Sequence, residues 1–335
     1  MHKISKIILA DFSRKQELTE LWVEAFGDGE EFISSFLDAY MIPEYNVPVV
    51  LEENGKIASM FYLIEFDLYS NRKNLGKCAY LFAAATKKEY RNKGCMSELI
   101  KYAVELYKNR GFKAIFLFPQ NQNQKLFDYY AKFGFENIFS AKKIIVGHDD
   151  PGVPRKKNAF TDIHGASGMP RPTCNLRLED KDITDVDIFD GLYDSYIEFT
   201  ARQILSPIKD RLFYFKCAKS YLDNSENPEI TPHFAVFENN VEKFCYVFYK
   251  KYKNTYYIDD IIFTGYDNIS NIIETLSGYI LNFGDNVNIE INIPPVSQSD
   301  SQNVPLAMLL PLSGDIKNIT GNIKVPVYLN MFMNL

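Results

Sequence analysis

The chain has 335 residues, 46% hydrophobic and 24% charged, with a formal net charge of −6. That length suffices for two domains, each burying its own core, and the acidic balance opposes polyanions, which argues against nucleic acid as a partner. No apolar run reaches the roughly 18–20 residues of a membrane-crossing helix, no secretory leader pattern is present, and the cysteines, five in number, lack metal-ligand spacing. A cytoplasmic protein with reduced thiols and neither membrane nor metal partner is expected.

A first strand is expected over residues 3–10. Helices follow at 16–26, where Leu18, Leu21, Trp22, Ala25 and Phe26 recur at helical spacing, and at 30–40. Strands are expected at 47–51, 57–69 and 76–86, the first two joined by a Glu53-Asn54-Gly55 turn. The last of these runs into Lys87-Lys88-Glu89-Tyr90-Arg91-Asn92-Lys93-Gly94-Cys95-Met96, a basic, glycine-containing turn. Beyond it Leu99, Ile100, Ala103, Val104 and Tyr107 define a buried helix face ending at Gly111. The opening N–H groups of such a helix have no internal acceptors, and its dipole puts positive charge there, so the turn is a seat for phosphate. A strand at 113–118, a helix at 125–133 and a strand at 135–146 complete the first half.

Residues 148–173 are rich in Pro, Gly and charge without periodicity and read as a linker. From Cys174 the pattern restarts, with a strand near Leu176, helices at 186–201 and 211–222 and strands at 233–237, 244–249 and 256–263. A helix at 269–283 and a strand at 287–293 follow. Pro305 to Leu312 and 325–335 look like strands closing this second half. The aromatics, 22 Tyr and 26 Phe against one Trp, are expected to fill two cores rather than to mark a binding box.

Arg91-Asn92-Lys93-Gly94-Cys95-Met96 resembles the Arg/Gln-x-x-Gly-x-Gly/Ala pyrophosphate loop of the GNAT superfamily of acyl-CoA N-acyltransferases. Asn123, Tyr130, Gly134 and Phe135 resemble that superfamily's later Asn…Tyr-x-x-Phe/Leu-Gly-Phe motif. Met96 departs from the loop pattern: facing the cofactor it would crowd the pyrophosphate, facing the sheet it would be core. The resemblance implies an α/β (α+β) fold of two tandem GNAT-like domains, each a mixed, mostly antiparallel sheet flanked by helices. Residues 1–150 would be catalytic, 151–172 a linker and 173–335 a degenerate domain. The equivalent turn there, Phe263-Thr264-Gly265-Tyr266-Asp267-Asn268, has no basic residue and carries an aspartate where phosphate would sit. This tandem order is similar to acetyltransferases of the enhanced-intracellular-survival type.

The resemblance further implies acetyl-CoA as cofactor and a small-molecule amine as acceptor, and it leaves room for a homo-oligomer. Cofactor contacts would fall on the strand edge at Ala84, Ala85 and Thr86, on Arg91, Asn92, Lys93, Gly94, Cys95 and Met96, and on Asn123. Lys87 and Lys88 are open to a more distant phosphate or to solvent alone. Tyr130 takes the general-acid position, the alternative being a core aromatic, with Tyr129 on another face. Asp28, Glu30, Glu31, Asp38 and Glu44 read either as an acidic wall for the amine or as a solvated face. Glu65, Asp67 and Tyr80 are candidate bases. Cys95 reads as structural rather than nucleophilic. By the same resemblance the carboxylate of Leu335 would serve as base, against its being a merely solvated strand end. The expected activity is N-acetyl transfer by direct attack on the thioester. Its alternatives are a non-catalytic acyl-CoA-binding sensor and, less favoured by the charge, a transferase using charged tRNA.

Overall fold

A computed structural model describes residues 5–40, 46–119, 123–146, 177–203, 205–223, 229–238, 243–263, 288–293 and 303–323. Among these, no helix is long and apolar enough to cross a membrane. The chain forms two compact units. The first takes the described residues of Met1–Ser140, Ala201–Phe213 and Pro305–Leu329, and the second those of Ala141–Thr200 and Tyr214–Val304.

In the first unit β1 (Ser5–Leu9), β2 (Asn46–Glu53), β3 (Lys56–Ser70) and β4 (Lys73–Thr86) form an antiparallel run. α1 (Lys15–Phe26) and α2 (Glu30–Tyr40) lie between β1 and β2 in sequence, α3 (Cys95–Asn109) carries the chain from β4 to a parallel β5 (Ala114–Leu117), and α4 (Gln124–Ala131) precedes β6 (Glu136–Val146). α3 is amphipathic, burying Leu99, Ile100, Ala103 and Tyr107 while Glu98, Lys101, Glu105 and Lys108 face water. Its buried stripe packs with Phe61 and Leu63 of β3, Ala79 and Leu81 of β4 and Ile115 and Leu117 of β5. The opposite face of these strands carries Tyr62, Phe66, Tyr80, Phe82 and Phe116, because successive side chains in a strand alternate. Trp22 of α1 and Phe36 of α2 meet Phe82 there, at ring separations of 5.4 and 5.3 Å. The middle of β3 is thus buried on both faces, as its unbroken apolar run requires.

Two segments assigned by sequence to the second domain belong to the first unit, so the sequential boundaries at 150 and 173 do not describe the packing. β8 (Ser206–Ile208) pairs with Asp67–Tyr69 of β3. β13 (Asn303–Pro311), expected to close the second half, pairs antiparallel with β5, and its Met308 and Leu310 enter the first unit's core. β13 lies between β5 and β6 in strand order. The physical reason is the edge: without β13 the buried strand Ala114–Leu117 would leave its second row of backbone donors and acceptors unpaired. α7 (Gly314–Gly321) follows it.

In the second unit β7 (Arg177–Asp180), β9 (Ile230–Glu238), β10 (Lys243–Tyr252) and β11 (Thr255–Phe263) pair antiparallel in the order β7-β9-β10-β11. β12 (Asn288–Ile293) joins β11 in parallel and residues 142–146 of β6 antiparallel. α5 (Val186–Ala201) and α6 (Arg211–Leu222) supply its aromatic core, where Tyr196 and Tyr214 stack at 4.2 Å. An antiparallel meander followed by one parallel strand thus occurs in both units. The expected helix at 269–283 and strand at 325–335 lie outside the described residues, as does most of the 263–268 turn.

Candidate active site

β4 and β5 are hydrogen-bonded neighbours only at Cys78↔Ala114, Ala79↔Ile115 and Tyr80↔Phe116. Beyond Tyr80 the strands part. Residues 81–86 of β4 keep β3 as their partner but have no pairing on the β5 side among the described residues. A bulge accompanies the divergence: the β3–β4 register shifts between Met60 and Tyr62, and Ala83 sits at φ 48. A non-glycine residue in that region is strained by about 1–2 kcal/mol. The bulge changes which residues face which side, and Ala84 packs on the α3 core while Ala85 is buried. Ser59 fixes the strand end, donating its Oγ–H to the Ala85 carbonyl at 2.9 Å and lying 2.8 Å from Thr86 Oγ1.

The turn begins where the fork ends. Lys88 N–H donates to Glu24 Oε1 at 2.8 Å and Arg91 Nε donates to the Thr86 carbonyl at 3.0 Å, so the guanidinium is held against the open strand. The Lys93 ammonium donates to the Glu89 carbonyl and lies 5.5 Å from the Tyr90 ring. Asn92 at φ 60 and Gly94 at φ 86 both adopt left-handed backbone. Gly94 is the N-cap of α3, and Glu98 N–H returns to its carbonyl at 3.0 Å. Among the described residues, the N–H groups of Asn92, Lys93, Gly94, Met96 and Ser97 donate to no backbone carbonyl. A Cβ at Gly94 meets no atom within 4 Å, so the space above the turn is open. Uncommitted donors, two exposed cations and a helix N-terminus meet there, and the donor set fits a pyrophosphate.

Met96 is half-buried against the α3 core, which removes the crowding its bulk threatened. Cys95 is buried in that core with Sγ 3.7 Å from the Tyr90 carbonyl. The described cysteines, Cys78, Cys95, Cys217 and Cys245, are all free and buried.

Asn123 caps α4, its Oδ1 accepting from Lys125 N–H at 3.0 Å. That accounts structurally for an asparagine there and leaves its amide nitrogen without a described partner. Tyr130, 8% exposed, lies in the same apolar cluster as Leu81 and Cys95, its ring 5.8 Å from Phe135. Burial raises its phenol above the ordinary value, with Tyr129 adding to the shift. Tyr129 points elsewhere, its hydroxyl 3.0 Å from Ser97 Oγ in the first turn of α3. That link between the two helices has no local signal, since its partners are 32 positions apart.

The candidate bases are committed. Glu65 pairs with Arg110 at 3.1 Å and Asp67 with Lys77 at 2.9 Å, both on the paired part of β3 and β4 before the fork. Burial raises the Glu65 carboxyl despite Arg110. Tyr80 stacks on Phe116 at 5.1 Å where the strands part. The acidic wall is dispersed too: Asp28 accepts from Trp22 Nε1 at 2.7 Å, Asp38 pairs with Lys15, and Glu30 and Glu31 are exposed in the first turn of α2. Glu44 and Leu335 lie outside the described residues.

The described residues form a forked mixed sheet whose open strand leads through a cationic turn into a helix. Residues 6–138 match the family model described as "Acetyltransferase (GNAT) domain". Three solved structures are similar in fold. A protein of unknown function from Enterococcus faecalis V583, titled a probable N-acyltransferase, matches at TM-score 0.69 and 14% identity over 92% of this chain and 73% of that one. A GCN5-related N-acetyltransferase from Anabaena variabilis matches at 0.67 and 13% over 92% and 73%. Eis1 from Mycobacterium abscessus matches at 0.63 and 12% over 95% and 76%. No curated protein matches the chain.

Proposed function

We propose that this protein is an acetyl-CoA-dependent N-acetyltransferase acting on a small amine. The observation that carries the reading is the turn at 91–97: a left-handed Gly94 opening onto free space, uncommitted backbone donors and two cations, placed directly after the fork. When bound, acetyl-CoA supplies an acyl group activated as a thioester. The residues holding it are Arg91, Lys93 and the backbone of Asn92 to Ser97 at the pyrophosphate, and the open edge at Ala84, Ala85 and Thr86 along the pantetheine. Charge-assisted hydrogen bonds to such a group are worth roughly 1.5–3 kcal/mol each.

Thr86 is the candidate for orienting the acyl oxygen through its amide. Tyr130, with its phenol raised by burial, keeps its proton throughout the physiological range and holds it at Oη for the departing sulfur. The amine must lose a proton, which costs about 4–5 kcal/mol at pH 7 for a group of ordinary pKa. That is small enough for a water relay, and it suits a fork whose nearby carboxylates are ion-paired elsewhere. The sensor alternative would follow from Met96 obstructing the turn or from an incomplete acceptor site; the packing of Met96 against the core speaks against the first, and the amine panel below tests the second.

Thiol release from acetyl-CoA across a panel of aminoglycosides, polyamines, peptides and simple amines tests the reading. Tyr130→Phe should lower turnover at least about tenfold with CoA affinity unchanged. CoA binding without turnover across the panel, or full turnover in Tyr130→Phe with loss in Tyr129→Phe, counts against it.

A further inference from the structure

We infer that the acceptor is a primary amine carried on an aromatic body, an arylalkylamine, rather than a polycation; this rests on the acyl-transfer reading above. The fork has two faces. Tyr130 and α3 occupy one. On the other lie three half-buried rings, Phe82 on the part of β4 beyond its pairing with β5, Phe118 just beyond β5 and Phe26 at the end of α1. They are joined through the buried rings of Tyr80 and Trp22. Tyr80 lies 5.4 Å from Phe82 and 5.7 Å edge-on from Phe118, and Trp22 lies 5.4 Å from Phe82 and 6.2 Å from Phe26. Tyr62, fully buried behind Trp22 at 5.5 Å, has a hydroxyl with no described hydrogen-bond partner.

The charge distribution supports the same class. A polyamine or aminoglycoside needs several carboxylates facing its ammonium groups. Among the described residues around these rings, Asp38 is ion-paired with Lys15, and one oxygen each of Asp28 and Glu24 accepts from the Trp22 indole and the Lys88 amide. Rings offer what an aromatic body carrying a single amine needs, a flat apolar contact. They also favour the chemistry: a carboxylate beside the amine would raise its pKa and hold it protonated, whereas desolvation against rings lowers it toward the neutral nucleophile.

Trp22 is the chain's one tryptophan and is buried against Phe82 and Phe26, so its emission reports on these rings. The full chain, with CoA present, is titrated with 2-phenylethylamine and with spermidine while that emission is followed, and thiol release from acetyl-CoA is measured for both. 2-Phenylethylamine should perturb Trp22 and half-saturate at a concentration at least about tenfold below spermidine. Phe82→Ser and Phe118→Ser should each raise its half-saturation at least about tenfold, with CoA binding by calorimetry confirming that the variants fold. Preference for spermidine, or unchanged half-saturation in both variants, overturns the inference. A Trp22 response to 2-phenylethylamine without thiol release from any amine supports the aromatic site and refutes acyl transfer. Turnover of spermidine with a silent Trp22 does the reverse.

Discussion

Gly94→Ala separates backbone strain from phosphate binding. Gly94 at φ 86 and Gly55 at φ 79 occupy the same left-handed region, and a Cβ at either meets no atom within 4 Å. Neither methyl clashes, so each substitution carries only the conformational cost, about 1–2 kcal/mol. Gly55 sits in the β2–β3 turn, remote in sequence from any candidate phosphate donor, whereas Gly94 opens α3 among the uncommitted N–H groups of residues 92–97. A methyl there occupies space the phosphate must enter. Losing one charge-assisted hydrogen bond, about 1.5–3 kcal/mol, corresponds to about 10- to 150-fold in affinity. Thermal melts should show similar destabilisation in Gly94→Ala and Gly55→Ala, while calorimetry with CoA shows weakened binding in Gly94→Ala alone. Wild-type CoA affinity in Gly94→Ala, with a stability loss matching Gly55→Ala, would refute the phosphate assignment. Affinity lost equally in both would reduce the effect to strain.

Tyr62→Phe removes a fully buried hydroxyl without a described partner, so thermal stability should hold or rise by about 1 kcal/mol; a loss of that size in a denaturant titration would reveal a partner. Glu17 is held below its ordinary carboxyl value of 4.5 chiefly by its hydrogen bonds with Arg14 at 2.6 and 3.0 Å. A depressed folded-state pKa adds stability above the unfolded value, and that contribution is lost as pH falls through the folded one. The melting midpoint of Glu17→Gln should therefore lie below wild type at pH 7, and the gap should narrow as pH falls below the ordinary carboxyl value of 4.5; a gap independent of pH would mean that the ion pair is not its origin.

The turn proposed to hold phosphate was legible in the sequence because its chemistry is local. Arg91 to Ser97 supply cations, a glycine able to adopt left-handed backbone and the open start of a helix within one stretch. Amphipathic spacing likewise marked α3, and the alternation of Tyr80 with Phe82 and of Phe116 with Phe118 put each pair on one strand face. Sequence spacing could not say that the two pairs meet across a fork beneath Trp22, nor that Met96 turns to the core. It could not say that Asp38 pairs with Lys15 or Glu65 with Arg110, since those contacts join separately placed elements. The largest departure was β13. Its apolar run announced a strand, but a strand's hydrogen bonds come from backbone that is the same at every position, so its side chains did not name its neighbour. Only the tertiary structure decided that Met308 and Leu310 fill the first unit's core beside β5, because the buried edge they cover belongs to residues nearly two hundred positions earlier in the chain.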